Sequence, residues 1–412
     1  MSKLGAIADD FTGATDLATN LAKRGFQVVV VPEDALDADG FDDASFEAVV
    51  VALKTRTAPP ASAVADSLRA LDFLLGLGCE RFYDKYCSTF DSTDSGNIGP
   101  ILDALSERLG AGTTVVVPSF PDNGRTVASG VLYVNGDLLE NSSMRHHPLT
   151  PMTKSRISDI LRPQTSSVVS EIHADVVDSG APALTAALAS GQSGYVVVDA
   201  ATDAQLAVIA EATSSAVLVS GGSGLALGLS PTTAGSAQPM VPTSGRRLVL
   251  SGSASTATRG QVNHARSRMP SLKIDVAALL ADADAALASV LAWLGSREHD
   301  EPALVYAVDS LEDLAESPDG ASERVEWLLG QVAIAAVQSL GFTRIIVAGG
   351  ETSGSVVKSL GLQRLIIGAE IAPGVCWASG FTADRIELNV ALKSGNFGTE
   401  QMFTDAWKVL GA

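Results

Sequence analysis

Two adjacent carboxylates, Asp9 and Asp10, close the first apolar run of the chain, Leu4 to Ala8, and Thr12 and Gly13 follow. Acids at the end of a strand can orient or deprotonate a hydroxyl, or cap the next helix. Successive strand residues face opposite ways, so the two acids need not act together. A phosphatase that forms an aspartyl-phosphate wants acids two apart, as in DxDxT, and adjacency argues against that chemistry. A later apolar run ends in Lys54, Thr55 and Arg56, two cations beside a hydroxyl, which suits a carboxylate or a phosphate. The segment YDKYCSTFDSTDSGNIGP, 83–100, concentrates Lys85, Ser88, Thr89, Asp91, Ser92 and Thr93. That density of hydrogen-bonding groups suits a polyhydroxylated ligand. Cys87 has no neighbouring histidine to activate it and reads as a small packing residue. Asn123 and Arg125 follow another strand exit, and Arg145, His146, His147 and Thr150 form a polar loop.

The second half of the chain has a different chemistry. SGSAST (251–256), AGGETSGSV (348–356) and KSGNFG (393–398) are Gly/Ser/Thr loops placed after strand-like runs. Glycine lets backbone approach a ligand, and N–H groups at helix starts attract phosphate. None of the three is a GxxxxGK[ST] loop or a GxGxxG turn. A half rich in cations, acids and hydroxyls beside a half rich in such loops points to phosphoryl transfer across a cleft.

These groups need a frame. Near-continuous Val/Ile/Leu runs such as QVVVVP, AVVVA and TTVVVP fit strands buried on both faces of a parallel sheet. Helical patterns alternate with them. Ala14, Leu17, Ala18, Leu21 and Ala22 share one face before Gly25, and Val325, Leu328, Leu329, Val332 and Ala336 share another. Residues 277–292 read as one Ala-rich helix. The fold expected is α/β, with two domains that each carry a mostly parallel β-sheet flanked by helices, and the active site in the cleft between them. The Pro/Ser/Thr/Gly-rich stretch 231–246 reads as a linker between 1–230 and 247–412.

Composition narrows the partners. The chain has 412 residues, 46% of them hydrophobic, and a formal net charge of −19. That charge repels phosphate backbones, so nucleic acid is excluded as a partner class. No run is long enough to span a membrane, and no signal peptide is evident. Three scattered cysteines and five histidines, with no CxxC or HExxH, argue against a disulfide framework and a zinc site, and for a cytoplasmic protein.

Taken together, IADDFTGATD, KYCSTFDST, GNIGP, NGRT, HPLTPMT, LSGSAS, GGETSG and NVALKSGNFG resemble the four-carbon acid sugar kinase family, in family order and over almost the whole chain. KYCSTFDST and HPLTPMT look most like the branch that acts on 3-oxo-tetronate. The resemblance implies a sugar-acid-binding domain followed by a nucleotide-binding domain that uses ATP with Mg²⁺. It puts Asp9, Asp10 and Lys85 in catalysis, with Thr12, Lys54, Arg56, Ser88, Thr89, Asp91, Asn123 and Arg125 on the sugar acid. It puts Ser251, Gly252, Ser253, Ser255, Gly349, Gly350, Glu351, Thr352 and Gly395 on the nucleotide. One aspartate would take the proton of the 4-hydroxyl, and the other would hold a lysine or help to place the metal, whose ligands the sequence leaves unknown. Two positions depart from the family pattern: Ala254 stands where Cys is common, and Lys154 where Asp is common. The second of these keeps threonate and erythronate open as substrates. A non-catalytic sugar-acid sensor is the reading from another class, and a homodimer is left open.

Overall fold

The computed structural model describes residues 3–37, 46–147, 150–231, 240, 242–315, 318 and 320–410. The chain divides into two compact units, Met1–Gln238 and Pro239–Ala412.

The strands of the first unit are β1 (Lys3–Ala8), β2 (Val28–Pro32), β3 (Ala48–Ala52), β4 (Cys79–Lys85), β5 (Thr113–Val117), β6 (Arg125–Ala128), β7 (Val131–Val134), β8 (Asp137–Leu138), β9 (Val168–Ile172), β10 (Gly194–Val198) and β11 (Leu218–Gly221). Eight of them form a wholly parallel run in the order β2-β3-β1-β4-β11-β5-β10-β9. Helices on its faces bury the apolar runs. All five residues of β2 and of β3 are buried, which explains why their sequences do not alternate. Ile7, Val29, Val51, Leu71, Leu74 and Phe82 share one core, and Phe90, Leu102, Val116, Leu132 and Ile157 share another. An antiparallel β6-β7-β8 sheet stands apart from the main one, a feature the run pattern does not announce.

The strands of the second unit are β12 (Arg246–Ser251), β13 (Ser271–Lys273), β14 (Ala303–Tyr306), β15 (Phe342–Ala348), β16 (Leu365–Ala372), β17 (Val375–Phe381) and β18 (Glu387–Lys393). β13-β14-β12-β15-β18 run parallel, and β17 and β16 complete the order antiparallel. Trp377 is fully buried here; its indole donates to Ala406 O at 3.0 Å and packs 5.4 Å from Trp407. The helix expected over 277–292 is two helices, Val276–Ala281 and Ala283–Gly295. Asp282 separates them: its backbone is extended, and its carboxylate caps the second helix at Ala285 N. Within 231–246, residues 232–239 and 241 lie outside the described residues. The end of that stretch belongs to the second unit: Thr243 N donates to Asn389 Oδ1, Gly245 N donates to Thr343 Oγ1, and Arg246 opens β12.

β1 is where the strand order of the first unit turns. Its chain neighbour β2 lies beyond β3 on one side, and β4 lies on the other. In open α/β sheets the crevice at such a point, at the carboxyl ends of the strands, is where ligands bind. Leu53 N donates to Ala8 O, Thr55 N and Arg56 N to Asp9 O, and Asp9 N to Lys85 O, so three strand exits are stitched together. Buried Asn97 reinforces them, donating to Thr55 O at 2.6 Å and Ala58 O at 3.0 Å. Asn97→Ala removes the side-chain donor from both carbonyls, leaving Thr55 O with only its bond from Ala58 N, and should cost about 1–3 kcal/mol. A urea unfolding midpoint equal to wild type would show that the anchor carries no weight.

Candidate active site

The two adjacent acids have different jobs in the structure, and one cation joins them. Arg56 donates its Nε and one Nη to both oxygens of Asp9, each at 2.8 Å. The same Nη lies 2.9 Å from Asp10 Oδ1. Asp10 is also the N-cap of the helix Phe11–Lys23: its Oδ1 accepts from Gly13 N at 2.7 Å and its Oδ2 from Thr12 Oγ1 at 3.0 Å. Burial pushes the Asp10 carboxyl up, but Arg56, Lys85 and the two hydrogen bonds outweigh it, and the net direction is down. Lys85 Nζ, on an almost wholly buried side chain, lies 3.9 Å from Asp9 Oδ1 and directly over Gly13. A Cβ at Gly13 would stand 2.1 Å from that nitrogen, so glycine there is what lets the ammonium reach the helix start.

Two more acids lie underneath, and the motif reading passes over both. Asp84 lines a cavity of about 10 Å³ with Asp9, Thr55, Arg56, Ser67 and Asn97, room for about one water. Burial pushes the Asp84 carboxyl up to about 8, with Asp9 adding to the push and Lys85 opposing it. Burial also raises Asp16, against Lys85 and a hydrogen bond from Ser223 Oγ. A charged pair following two aromatic residues at a strand exit, as in FYDKY, is the signal that could have marked Asp84.

Thr89 and Asp91 are buried and bonded to each other at 2.5 Å, and Cys87 Sγ lies 2.9 Å from Thr89 Oγ1. Burial, with help from Asp91, pushes the Cys87 thiol up to about 11, so it is no nucleophile at neutral pH. Ser88 is half-buried, and Lys54 is exposed on the β3 exit. Asn123 and Arg125 follow β5, two strands from β4, and Arg125 donates to Asn123 O. Among the described residues no hydrogen bond or ion pair ties them to the Asp9–Lys85 group. His147 Nδ1 is engaged by Thr150, and His146 is exposed. Pro148 and Leu149 lie outside the described residues. Lys154 pairs with Asp94 at 2.5 Å, both exposed.

In the second unit the three Gly/Ser/Thr loops converge, because β12, β15 and β18 are neighbours and all run the same way. Gly252 and Gly349 both pack on the Thr352 hydroxyl: a Cβ would meet it at 2.4 and 2.9 Å. Gly349, at φ +124, precedes the helix Gly350–Leu360, whose first turn carries exposed Glu351. Ser251 is buried at the end of β12. Ser255 caps the helix Thr256–Ala265 at Thr258 N, and Ser253 Oγ accepts from Ser255 N. The Gly395 carbonyl is held three ways, by Ser255 Oγ, by Thr258 Oγ1 at 2.7 Å and by Lys393 Nζ at 3.1 Å. Lys393 is fully buried, and burial pushes it down to about 7. Lys393 and Thr258 were not singled out from sequence, since each looks like an ordinary strand or helix residue.

Models of two domain families match the chain: a sugar-binding N-terminal domain over residues 4–229 and a nucleotide-binding C-terminal domain over 248–403. The 3-oxo-tetronate kinase of Brucella melitensis biotype 1 is 43% identical, over 99% of this chain and 95% of its own length. The 3-oxo-tetronate kinase of Pectobacterium atrosepticum is 43% identical over the whole of both chains. The chain belongs to the four-carbon acid sugar kinase family. A solved Salmonella typhimurium LT2 protein superposes with a TM-score of 0.89 at 42% identity, covering 98% of this chain and 99% of the other. One from Haemophilus influenzae gives 0.79 at 36%, covering 98% and 100%. As a member of this family the protein is an ATP-dependent sugar-acid kinase. No described helix is long and apolar enough to cross a membrane.

For a kinase of this family the raised Asp84 carboxyl has a measurable consequence. The unfolded chain releases that proton near 3.8 and the folded one near 8. Its stabilising effect is therefore complete below pH 3.8 and is lost as pH rises towards 8, at up to about 1.4 kcal/mol per pH unit. Asp84→Asn should flatten that slope, so the variant gains on wild type between pH 5 and 8. Parallel stability profiles from urea unfolding at those two pH values would show that Asp84 is not held neutral.

Proposed function

We propose that this kinase transfers the γ-phosphoryl group of ATP to the 4-hydroxyl of 3-oxo-tetronate, giving 3-oxo-tetronate 4-phosphate. The observation that carries the reading is full-length identity above 40% to several proteins that bear the 3-oxo-tetronate kinase name. The Asp9–Asp10–Arg56–Lys85 cluster supports it, being a charged group held rigidly at a sheet's ligand-binding edge. We take 1–230 as the sugar-acid part, 231–246 as the linker and 247–412 as the nucleotide part; the extents of the two family models support this.

In the mechanism we favour, Asp10 receives or orients the substrate hydroxyl. Its Oδ2 holds only the Thr12 hydroxyl, and its side chain is 22% exposed against 13% for Asp9. Asp9 holds Arg56, and Lys85 supplies positive charge near the reacting group. Phosphoryl transfer asks mainly for position and charge neutralisation, so a carboxylate of low pKa is adequate. The loops at 251–256 and 349–354 present N–H groups suited to the ATP phosphates. Among the described residues no group of three His, Cys, Asp or Glu side chains could hold a metal. Mg²⁺ therefore fits as the counter-ion of the ATP phosphates, whose charge it neutralises, rather than as a resident of an all-protein cage. A cytoplasmic setting is supported by the small number and wide scatter of the cysteines, Cys79, Cys87 and Cys376, with no CxxC pair among them.

ADP release by the purified protein, with ATP and Mg²⁺ against a panel of four-carbon sugar acids, tests the reading. Turnover confined to 3-oxo-tetronate is expected. Turnover with threonate or erythronate instead would replace the substrate assignment, and ATP binding without turnover on any acid would favour a sensor. On the active acid, Asp10→Asn should lower kcat by about 10²–10⁴-fold while both substrates still bind. Asp9→Asn losing turnover while Asp10→Asn keeps it would exchange the two roles, and near-full turnover in both variants would overturn the mechanism.

A further inference from the structure

Beneath the charged group of the first unit lies the cavity of about 10 Å³, room for about one water. Buried Ile7, Ile98 and Ile101 form its apolar walls. Two polar side chains face it, almost wholly buried and without a partner of their own. Ser67, on the helix Pro60–Gly76, is 1% exposed, and its Oγ makes no hydrogen bond. Asp84, in β4, is 6% exposed, and among the described residues no hydrogen bond reaches its carboxyl. Burying either group unpaired is costly, and one water between them, with its two donors and two acceptors, satisfies both.

The charges around Asp84 come from few places. Asp9 stands at the β1 exit, Arg56 at the β3 exit, Lys85 beside it in β4, and Asp91 in the loop that follows. Tyr83 and Tyr86 flank it, and burial keeps both phenols un-ionised. The helices Pro60–Gly76 and Ile98–Leu109 present only Ser67, Ile98 and Ile101 to the cavity, and β11 sets Ser220 opposite Asp84. Both oxygens of Asp9 already hold Arg56. A carboxylate at position 84 would compete with Asp9 for Arg56 and Lys85. We propose that Asp84 is a positioning residue for phosphoryl transfer: un-ionised and joined to Ser67 by one water, it packs beneath Asp9 without drawing on either cation, so the guanidinium stays on the two aspartates and the Lys85 ammonium stays with the substrate. Burial supports the un-ionised form, pushing the carboxyl up to about 8, with Asp9 adding to the push. Above that pH the new carboxylate repels Asp9 and pulls on Lys85, and turnover falls. This rests on the kinase reading above and adds a residue that touches neither substrate.

The test compares full-length wild type, Asp84→Asn and Ser67→Val at saturating ATP, Mg²⁺ and the active sugar acid. For each protein kcat at pH 9 is divided by its own kcat at pH 7, which cancels any loss common to both. A single titration near 8 predicts about a tenfold fall in wild type. Asp84→Asn cannot ionise there, and its ratio should stay within about twofold of one. Ser67→Val fills the cavity and removes the hydroxyl, so an ionised Asp84 loses its water, and the fall should move to higher pH. No fall in wild type, or the same fall in Asp84→Asn, overturns the role of Asp84, and an unmoved midpoint in Ser67→Val overturns the water. Infrared difference spectra between pH 7 and 9 read the proton without turnover. The C=O band of one un-ionised carboxyl should vanish from wild type at pH 9 and be missing from Asp84→Asn at both; a wild type with no such band also overturns the proposal. Should wild type turn over no sugar acid, the kinase reading fails on its own, and the infrared titration still decides the state of Asp84.

Discussion

Arg56 is the charge on which the first unit's site is built. Two carboxylates on adjacent residues at one strand end repel each other, and a shared counter-charge offsets that repulsion. The guanidinium supplies one in fixed geometry: a fork on Asp9 and one further contact to Asp10. A lysine could neutralise one of them but could not span both with a planar fork. The position of Arg56 is itself enforced from two directions. Its backbone N–H donates to Asp9 O, and Asn97 grips the carbonyls on either side of it. The acids and their cation are thus locked by the same strand exits, so the cluster forms only when β1, β3 and β4 are in register.

The second unit solves a related problem with neutral groups. Three loops that are far apart in the chain must present backbone to one place. The first and third meet at one carbonyl, that of Gly395, which takes two hydroxyl donors and one amine, and the second is tied to them by Gly349 N on Lys393 O and Gly252 N on Ala348 O. Lys393 is buried for this task, and the burial lowers its affinity for a proton. Such an amine can donate to a carbonyl and a hydroxyl without adding a full uncompensated charge to the interior. The glycines serve the same end, since Gly252 and Gly349 both close on Thr352 at distances a side chain would not allow.

Much of this was legible in the sequence, and the reasons are physical. Runs of valine bounded by polar exits betray strands buried on both faces, so the α/β class followed from runs such as AVVVA and VVVVP alternating with helical patterns. Gly/Ser/Thr loops after such runs marked the second unit's convergence, because parallel strands put their exits on one edge. Other features were not legible. Asp282 breaks an Ala-rich helix through a local cap that composition conceals. Asp84 and Lys393 sit at or next to the exits of their strands, where a charged letter looks like a solvated end until the neighbouring strands are known. The antiparallel β6-β7-β8 sheet depends on turns at Ser129–Gly130 and Asn135–Gly136 with positive φ, a hairpin signal that a reading for long apolar runs passes over.

The buried acids also bear on how so acidic a protein can take an anionic substrate. With a formal charge of −19, the mean field repels both a sugar acid and ATP. What matters locally is the balance among Asp9, Asp10, Asp16, Asp84, Arg56 and Lys85. If all four acids were ionised the group would carry two net negative charges, and the sugar-acid carboxylate would meet repulsion at short range. Burial raises both carboxyls, Asp84 as far as about 8, so Asp84 favours the protonated form at neutral pH and the balance becomes less negative. The ammonium of Lys85 over Gly13 and the start of the helix Phe11–Lys23 then remain as the nearest sources of positive potential. The repulsion that an incoming carboxylate meets is thus reduced without any excess of basic residues, because Asp84 is kept out of water, where its charge is too costly to form.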